Sequence, residues 1–338
     1  MKKMKKLSAL FIINFIFMFS AVAETCRFDF DRWNTILNQI QDRAVAEKID
    51  DKIINNTIQD AAFIPKIVWR DKNQPEFKIS LEKYVSRMVS PVRIAQGKKM
   101  ITKYPTLLNK VYKKYNVPPH VIVAFWGMES NYGHYKSHYQ LSDAFLTLIY
   151  EGRREKFFTE QLIALMKIAD KNKLNIDEIY GSWAGAMGHF QFIPTTLIQY
   201  GTDGNMDGRI DIINNISDAM FSAGNYLSKM GWNPNEKIIR KVVLPENFDL
   251  NLCDGKTKKP LDQWAQMGIN GVPNYETIAG LVCDQNPECE NTNDVNITSE
   301  TCAPKYAYLA YPNFYLIKRW NNSNSYAIAI ALLAEKLK

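Results

Sequence analysis

The stretch VPPHVIVAFWGMESNYG, residues 117–133, combines a helix start, an apolar run and a single carboxylate. Pro118 and Pro119 can begin a helix, because the first helical turn needs no backbone N–H donor. The run that follows is apolar on nearly every side, which predicts a helix at the centre of a helical core. Glu129 comes at the end of this run, and Gly133 stands where the helix can stop. We therefore expect the fold to be built around this helix.

Glu129 is a candidate general acid. Apolar neighbours would desolvate its carboxylate, and the negative end of the helix dipole would oppose its charge, so both effects should raise its pKa. A carboxyl group that keeps its proton near neutral pH suits general acid catalysis. The alternative is that Glu129 meets water or an arginine just past the helix end, because structural carboxylates are perturbed as well. The other motifs of the chain have to separate these two interpretations.

The first 23 residues have the pattern of a secretory signal peptide. Four lysines precede a short apolar stretch, and the small-x-small sequence Ala21-Val22-Ala23 follows it. The residues before Cys26 lack the small-residue box of a lipid-anchored bacterial protein. We therefore expect a soluble exported protein cut after Ala23, and an uncleaved signal anchor is the alternative.

The charge and the cysteines narrow the possible partners and cofactors. Removal of the leader takes away four lysines and no acid, which lowers the net charge from +7 to +3. This small charge, without an Arg-rich stretch, argues against nucleic-acid binding. In an oxidising compartment the cysteines are expected to form disulfides rather than metal thiolates. The last four allow three pairings, with the first left over or joining one of them; the five are Cys26, Cys253, Cys283, Cys289 and Cys302.

Sequence patterns divide the mature chain into four parts. Residues 24–115 carry apolar side chains at helical spacing and predict a helical lobe, and residues 116–236 hold the central helix. Residues 237–318 predict a small mixed lobe with the cysteine cluster, in which a strand pattern extends over residues 305–320. Residues 319–338 begin with capping residues and predict a C-terminal helix that returns to the core. The fold class is therefore mainly α (α+β).

The stretch GSWAGAMGHFQFIP, residues 181–194, is rich in glycine and alanine. Small residues let a backbone come close to a ligand or to another helix. Gln191 lies between two phenylalanines, and with Ser182 it could supply hydrogen bonds to a ligand. The alternative is tight helix packing without a ligand. The composition alone does not separate these two possibilities.

The stretch that begins at Asp203 resembles the first half of an EF-hand calcium loop, with Gly208 at position six. The second half departs from the pattern, because position twelve is Asn214 instead of a bidentate glutamate. Either a later acid closes the site through a longer loop, or the segment is an Asx-rich turn held by its own side chains. We expect a structural Ca²⁺ ion here. Its ligands would be Asp203, Asn205, Asp207, the backbone carbonyl of Arg209, and Asp218.

Four stretches resemble, in this order, the successive motifs of the B-type lytic murein transglycosylases of bacteria: VPPHVIVAFWGMESNYG, GSWAGAMGHFQFIP, DGNMDGRIDIINNISDAMFSAGNYL and NFYLIKRWNNSNSYAIA. The resemblance implies a lysozyme-like helical core with an additional helical lobe, a small β-containing lobe and a groove for peptidoglycan glycan strands. It also implies a periplasmic lyase that cleaves the MurNAc–GlcNAc β-1,4 bond without water. The product would carry a 1,6-anhydromuramoyl end.

The resemblance also assigns roles to single residues. Glu129 matches the sole catalytic acid/base of the family, and the family's calcium loop matches the loop that begins at Asp203. Trp320 stands where the family often has tyrosine. Cleft residues that hold the substrate or lie near the carboxylate are matched by Ser182, Gln191, Tyr226, Asn321 and Tyr326. The implied partners are glycan strands, with a cell-wall enzyme complex as a further candidate, and we expect a monomer that uses no organic cofactor.

The number of carboxylates separates the competing functions. Most glycosidases use two, whereas these motifs supply only Glu129, and Asp143 is the nearest spare acid. One carboxylate suffices if the substrate's N-acetyl oxygen stabilises the oxocarbenium-like centre and the muramoyl 6-hydroxyl then attacks it. The alternatives are a lysozyme-type hydrolase, in which Asp143 would activate water, and a non-catalytic wall-binding protein. The second alternative is opposed by four intact residues: Glu129, Ser182, Gln191 and Asn321.

Overall fold

A computed structural model describes residues 28–73, 79–135, 138–283 and 304–338. Within these ranges the protein is mainly helical with two small antiparallel sheets, which confirms the predicted fold class. Among the described helices none has both the length and the apolar composition needed to cross a bilayer. Two predictions concern residues outside these ranges: the signal peptide at 1–23, and the pairing of Cys26, Cys289 and Cys302.

The first part of the chain forms seven helices of the described region, most of them begun by a proline or by a capping side chain. Asp29, Asp50, Ser80 and Ser90 each accept a hydrogen bond from a backbone N–H in the first turn of the following helix. The helices are α1 (Phe30–Ala46), α2 (Asp51–Ile58), α3 (Pro65–Lys72), α4 (Leu81–Met88), α5 (Pro91–Lys103), α6 (Pro105–Tyr115) and α7 (Pro119–Ser130).

Helix α7 is the predicted central helix. Its side chains are buried without a break from Val121 to Trp126, so it has no solvent face along this run. It ends earlier than predicted, because Asn131 rather than Gly133 is the first residue in the left-handed conformation. Gly133 is also left-handed, at φ 81°, and a Cβ there would lie 2.6 Å from the ring of His189. The glycine is therefore needed for a close approach and not for the helix end.

The remaining core elements surround this helix, and the residues of the predicted helical lobe join them in one continuous hydrophobic core. Trp33 of α1 and Phe125 of α7 both belong to that core. The predicted helical lobe at 24–115 therefore shares its interior with the segment that follows. The additional elements are β1 (Tyr139–Gln140), α8 (Leu141–Glu151), α9 (Glu155–Asn172), β2 (Tyr180–Gly181), α10 (Pro194–Tyr200) and α11 (Ile216–Lys229).

The small lobe contains a four-stranded antiparallel sheet in the order β3-β6-β5-β4. It has a hydrophobic core of its own around Trp264, whose indole N–H donates to the carbonyl of Ala279 at 2.8 Å. A disulfide joins Cys253 to Cys283, so one of the predicted bridges lies among the described residues. The elements are β3 (Ile239–Val243), β4 (Asp254–Pro260), α12 (Leu261–Gln266), β5 (Ile278–Cys283) and β6 (Tyr306–Ala310).

The strand predicted over residues 305–320 is wrong in its second half. After β6, residues Pro312–Trp320 form helix α13, and α14 (Asn324–Lys336) ends the chain. Pro312 begins α13, because its fixed φ suits the first helical position. Phe314 and Ile317, three residues apart, then pack into the main core instead of the core of the small lobe. The apolar pattern was therefore helical, and the proline marked the change.

Candidate active site

Glu129 lies one residue before the end of α7, where the last helices of the chain meet it. The phenolic hydroxyl of Tyr326, in the first turn of α14, donates a short hydrogen bond to Oε1 of Glu129. Trp320, at the end of α13, also faces this carboxylate, and as a hydrogen-bond donor its side chain lowers the pKa of Glu129. Residues almost 200 positions apart in the sequence therefore form one hydrogen-bonded group.

The electrostatics of this group favour a protonated carboxyl group. Burial raises the pKa of Glu129 to about 7, and the hydrogen bonds from Tyr326 and Trp320 oppose this rise without cancelling it. Burial, together with the neighbouring carboxylate, raises the pKa of Tyr326 well above its usual range. Tyr326 therefore remains a neutral donor while Glu129 can change its protonation state near neutral pH.

Aromatic rings pack around Trp320, beside the carboxylate. The ring of Trp320 lies 4.9 Å from Phe125, 5.1 Å from Phe192 and 4.8 Å from Tyr226, measured between centroids. Tyr226, a predicted cleft residue, is 8% exposed and meets Trp320 edge to face. The predicted aromatic of the cleft therefore supports the tryptophan that donates to Glu129.

A short irregular segment, residues 181–192, forms a wall beside the end of α7. Ser182 holds a turn in this wall, because its N–H donates to the carbonyl of Ala186 at 2.7 Å and its Oγ accepts from the N–H of Ala186 at 3.1 Å. Gln191 is left-handed, at φ 49°, and its side-chain amide donates to the carbonyl of Gly188 at 2.9 Å. These two predicted site residues thus shape the wall through local hydrogen bonds.

The wall is attached to α7 by side-chain hydrogen bonds next to Glu129. The hydroxyl of Ser130 donates to the carbonyl of His189 at 2.7 Å and accepts from the N–H of Gly133 at 3.0 Å. The indole N–H of Trp126 donates to Nδ1 of His189 at 3.0 Å. Since tryptophan can only donate, the neutral His189 carries its proton on Nε2. The position of the wall is therefore fixed relative to Glu129.

Two further residues singled out from the sequence are Asn321 and Asp143. Asn321 ends α13 directly after Trp320, and its side chain is exposed at this edge of the site. Asp143, on α8, accepts a hydrogen bond from the N–H of Ala62 at 2.9 Å, and Asp177 is its electrostatic neighbour. Among the described residues, the groups that act on the pKa of Glu129 include no second carboxylate.

The predicted calcium ligands lie on one loop but bind backbone N–H groups of that loop. Asp203 accepts from Met206 and Gly208. Asp218 is fully buried, and its two oxygens accept from Gly204 and Asp211 at 2.9 and 2.8 Å. Within the part of the chain that the structure describes, no three His, Cys, Asp or Glu side chains are spaced to hold a metal ion. The other three predicted ligands are exposed: Asn205, Asp207 and Arg209.

Trp320 is the site residue that sequence reasoning missed as a hydrogen-bond donor. The sequence identified Trp320 only as an aromatic residue in place of the family's tyrosine, next to Asn321. Its role was missed because residues 305–320 were predicted to form a strand. In a strand, Trp320 and Phe314 would have faced the same side of a sheet. In the observed helix, Trp320 instead points to α7. The signal that could have identified it is Pro312, a helix start eight residues earlier.

Comparisons with known proteins agree with this geometry. Residues 32–335 match the model of the family described as transglycosylase SLT domain. The membrane-bound lytic murein transglycosylase B of Escherichia coli (strain K12) is 28% identical over 256 residues, which are 75% of this chain and 66% of that protein. The chain thus spans just under two thirds of this curated relative.

Solved structures of similar proteins have the same fold as this chain. SltB3 from Pseudomonas aeruginosa, crystallised with NAG-anhNAM-pentapeptide, is 33% identical with a TM-score of 0.79, covering 90% of this chain and 79% of SltB3. Slt35 from Escherichia coli, crystallised with calcium, is 24% identical with a TM-score of 0.77, covering 89% and 92%. These neighbours confirm the lysozyme-like fold predicted from the motifs. The chain belongs to the transglycosylase SLT domain family, in the B-type lytic murein transglycosylase group that its four motifs resemble.

Proposed function

We propose that this protein is an exported lytic murein transglycosylase, in which Glu129 alone serves as acid and base. One observation carries the proposal: a carboxyl group with a pKa near 7 accepts hydrogen bonds from Tyr326 and Trp320, and no second carboxylate acts on it among the described residues. The relatives named as lytic transglycosylases, and the SltB3 complex with an anhydromuramoyl ligand, support the same chemistry.

The reaction follows from one group that changes protonation state. Protonated Glu129 gives its proton to the glycosidic oxygen, the bond from C1 of the muramoyl residue to that oxygen breaks, and the N-acetyl oxygen of the same sugar stabilises the cationic C1. The 6-hydroxyl then attacks C1, and its proton passes to the Glu129 carboxylate. This restores the acid and leaves a 1,6-anhydro end, with no water consumed. Tyr326 and Trp320 stabilise the transient carboxylate by hydrogen bonding.

The other predicted residues would bind the glycan strand. The wall that holds Ser182 and Gln191 lies beside Glu129 and is fixed to α7, so polar groups on it can meet a sugar at a constant distance from the acid. Asn321 is exposed directly after Trp320. The lysozyme-type hydrolase is less favoured, because Asp143 is engaged with Ala62 and not with the Glu129 group. The predicted signal peptide would place the enzyme in the periplasm.

The proposal is tested by incubating purified peptidoglycan with the protein and analysing the released muropeptides by mass spectrometry. Anhydromuramoyl products are the expected result. Reducing ends, each heavier by one water, would establish a hydrolase. Binding to peptidoglycan without any release would establish a wall-binding protein instead.

The substitution Tyr326→Phe should change the pH dependence of the reaction. The hydrogen bond from Tyr326 lowers the pKa of Glu129, so its loss should move that pKa upward from about 7. Activity that needs the protonated acid falls as the pH rises through this pKa, and in the variant the fall should come at a higher pH. We also expect kcat to drop about tenfold, because the transient carboxylate loses a donor. Rates measured at about unit intervals between pH 5 and 9 show both the shift of the pH profile and the fall in kcat.

Tyr132→Phe is the matched control for this variant. Tyr132 is also buried, and its hydroxyl donates to the carbonyl of Arg93 at 2.8 Å, but it makes no hydrogen bond to Glu129. Its loss should lower stability and leave the pH profile unchanged. The same shift of the profile in both variants would show that Tyr326 does not act on Glu129.

A structural Ca²⁺ ion in the loop from Asp203 to Asp218 remains a proposal. The donor set suits a hard cation, because carboxylate and amide oxygens of one loop are its usual ligands. The charge of Asp203 also acts unfavourably on buried Asp218, and a cation between them would relieve this repulsion. Bound Ca²⁺ would hold this loop beside the wall, since the N–H of His189 donates to the carbonyl of Ile212 at 3.2 Å.

Calcium should therefore raise the thermal stability of the protein. A ligand at about 100 times its Kd stabilises the folded state by about 2.7 kcal/mol, which for a chain of this size corresponds to a rise in Tm of several degrees. Differential scanning calorimetry with Ca²⁺, with Mg²⁺ and with Asp203→Asn checks this. An equal Tm in all conditions would identify the segment as a plain Asx-rich turn.

A further inference from the structure

A cavity of about 320 Å³ lies where the small lobe meets the main core, at the end of α7 opposite to Glu129. Its lining comes from the start of α7, the end of α14, the loop after α11, and strands β3 and β6. Val121, Trp232 and Ile239 belong to its apolar lining. Sites for small molecules begin at about this volume and often lie between domains. The cavity can therefore admit a small organic molecule.

Glu236 lines this cavity as a half-buried carboxylate that needs a cation. Burial raises its pKa, and no hydrogen bond or neighbouring cation among the described residues opposes this rise. The lining also includes three lysines, but all are exposed, and Lys338 is already paired with Glu335 at 2.7 Å. A buried carboxylate without a partner is unfavourable, and an ammonium group next to it would stabilise its charged form.

Two N–H donors of the main core lie in the same lining. Pro118 and Pro119 have no N–H, and no side chain caps α7, so the N–H of His120 is the first donor at this positive helix end. Burial lowers the pKa of the His120 imidazole, which therefore adds no charge at neutral pH. Trp232 is 8% exposed, and its buried indole N–H has no hydrogen-bond partner among the described residues. Such buried donors are rare in folded proteins, and a carboxylate supplies the acceptor oxygens that they lack.

We propose that this cavity binds a small zwitterion, an α-amino acid with an apolar side chain. Its ammonium group pairs with Glu236, and its carboxylate accepts from the N–H of His120 and the indole N–H of Trp232. Its side chain lies against the apolar lining. One bound molecule thereby connects α7 and α14 of the main core with β3 of the small lobe. Because the cavity and Glu129 are at opposite ends of α7, this binding is separate from turnover.

Isothermal titration calorimetry with leucine tests the proposal on the wild-type protein. We expect leucine to bind with a Kd below about 1 mM. N-acetylleucine has no ammonium group and leucinamide has no carboxylate, so each should bind at least about tenfold more weakly. A lack of leucine binding, or equal binding of leucine and either analogue, would overturn the proposal.

Trp232→Phe keeps an aromatic ring in the lining and removes the indole donor. It should weaken the binding of leucine about tenfold and reduce the preference for leucine over leucinamide. Trp33→Phe is the matched control, because Trp33 is 6% exposed in the same hydrophobic core but lies on α1, outside the cavity lining. Its replacement should leave leucine binding unchanged. Equal loss in both variants, or unchanged binding in Trp232→Phe, would show that the indole N–H does not hold the ligand and would overturn the proposal.

Discussion

Glu129→Gln should abolish the release of soluble fragments from peptidoglycan, with a fall in kcat of about 10⁴-fold. Glutamine has the same shape and still accepts the hydrogen bond from Tyr326, but it can neither give nor take a proton. Acid and base catalysis by one positioned group each contribute about 10² to 10⁴ in rate, and here Glu129 performs both steps. Turnover measured with purified peptidoglycan at pH 6, about one unit below the pKa of Glu129, checks the prediction.

The same substitution should make the protein more stable at alkaline pH. Burial raises the pKa of Glu129 from 4.5 to about 7, so between these values the folded protein holds a proton that the unfolded chain releases. Stability therefore falls as the pH rises through this window, by about 3 kcal/mol in total. Glutamine has no charge to bury and should escape this loss, and thermal unfolding at pH 5 and pH 8 should show it.

Glu236→Gln serves as the matched control. Glu236 is half-buried, burial also raises its pKa, and it lines a cavity of about 320 Å³ with His120, at the opposite end of α7 from Glu129. Its replacement should leave turnover unchanged. Full activity of the Glu129 variant, or an equal loss in the Glu236 variant, would remove Glu129 from its role as the acid.

Asp71→Ala should lower the free energy of unfolding by about 2 kcal/mol, because its carboxylate is buried while its two arginine partners are half-exposed. Asp71, at the end of α3, is 3% exposed, and its carboxylate accepts hydrogen bonds from both Arg153 and Arg154 in the turn between α8 and α9. Arg153 also donates to its backbone carbonyl. Removal of the carboxylate leaves two guanidinium groups without their shared acceptor, but these side chains are 50% and 40% exposed, so water solvates part of the charge and the loss stays below that of a fully buried pair. Chemical denaturation measures the effect.

An ion pair with an exposed carboxylate shows by contrast what burial of the Asp71 carboxylate contributes. Arg43 and Glu160 are 2.8 Å apart, with side chains 34% and 45% exposed. Glu160→Gln should lower stability by less than about 1 kcal/mol, because water already screens this pair. Equal losses in the Asp71 and Glu160 variants would show that the buried carboxylate does not tie α3 to the α8–α9 turn.

The sequence predicted the parts of the site that depend on local pattern. The apolar run before Glu129 indicated a buried helix with a carboxylate at its end, and burial is the main cause of the raised pKa. The effect of the helix dipole, the second predicted cause, stays a prediction. The ordered motifs also predicted the family and the lysozyme-like fold. The prediction for Tyr326 placed it near Glu129 through the resemblance alone, since no local rule joins residues so far apart.

The prediction from the sequence was wrong where tertiary contacts override a local pattern. YPNFYLIKRW has aromatic and β-branched residues typical of strands, yet Pro312 and the burial of Phe314 and Ile317 in the main core make it a helix. As a result, Trp320 packs against Phe125 of α7, the helix that carries Glu129. The calcium ligands stay a prediction, and backbone N–H groups of the loop donate to two of them, Asp203 and Asp218.

The origin of the product oxygen tests the central claim most directly. Peptidoglycan is digested by the wild-type protein in water enriched in ¹⁸O, and the muropeptides are analysed by mass spectrometry. If the muramoyl 6-hydroxyl attacks C1, the new ends are 1,6-anhydro and contain no ¹⁸O. Reducing ends that each contain one ¹⁸O atom would contradict the account, because water would then be the nucleophile and a second group would have to activate it.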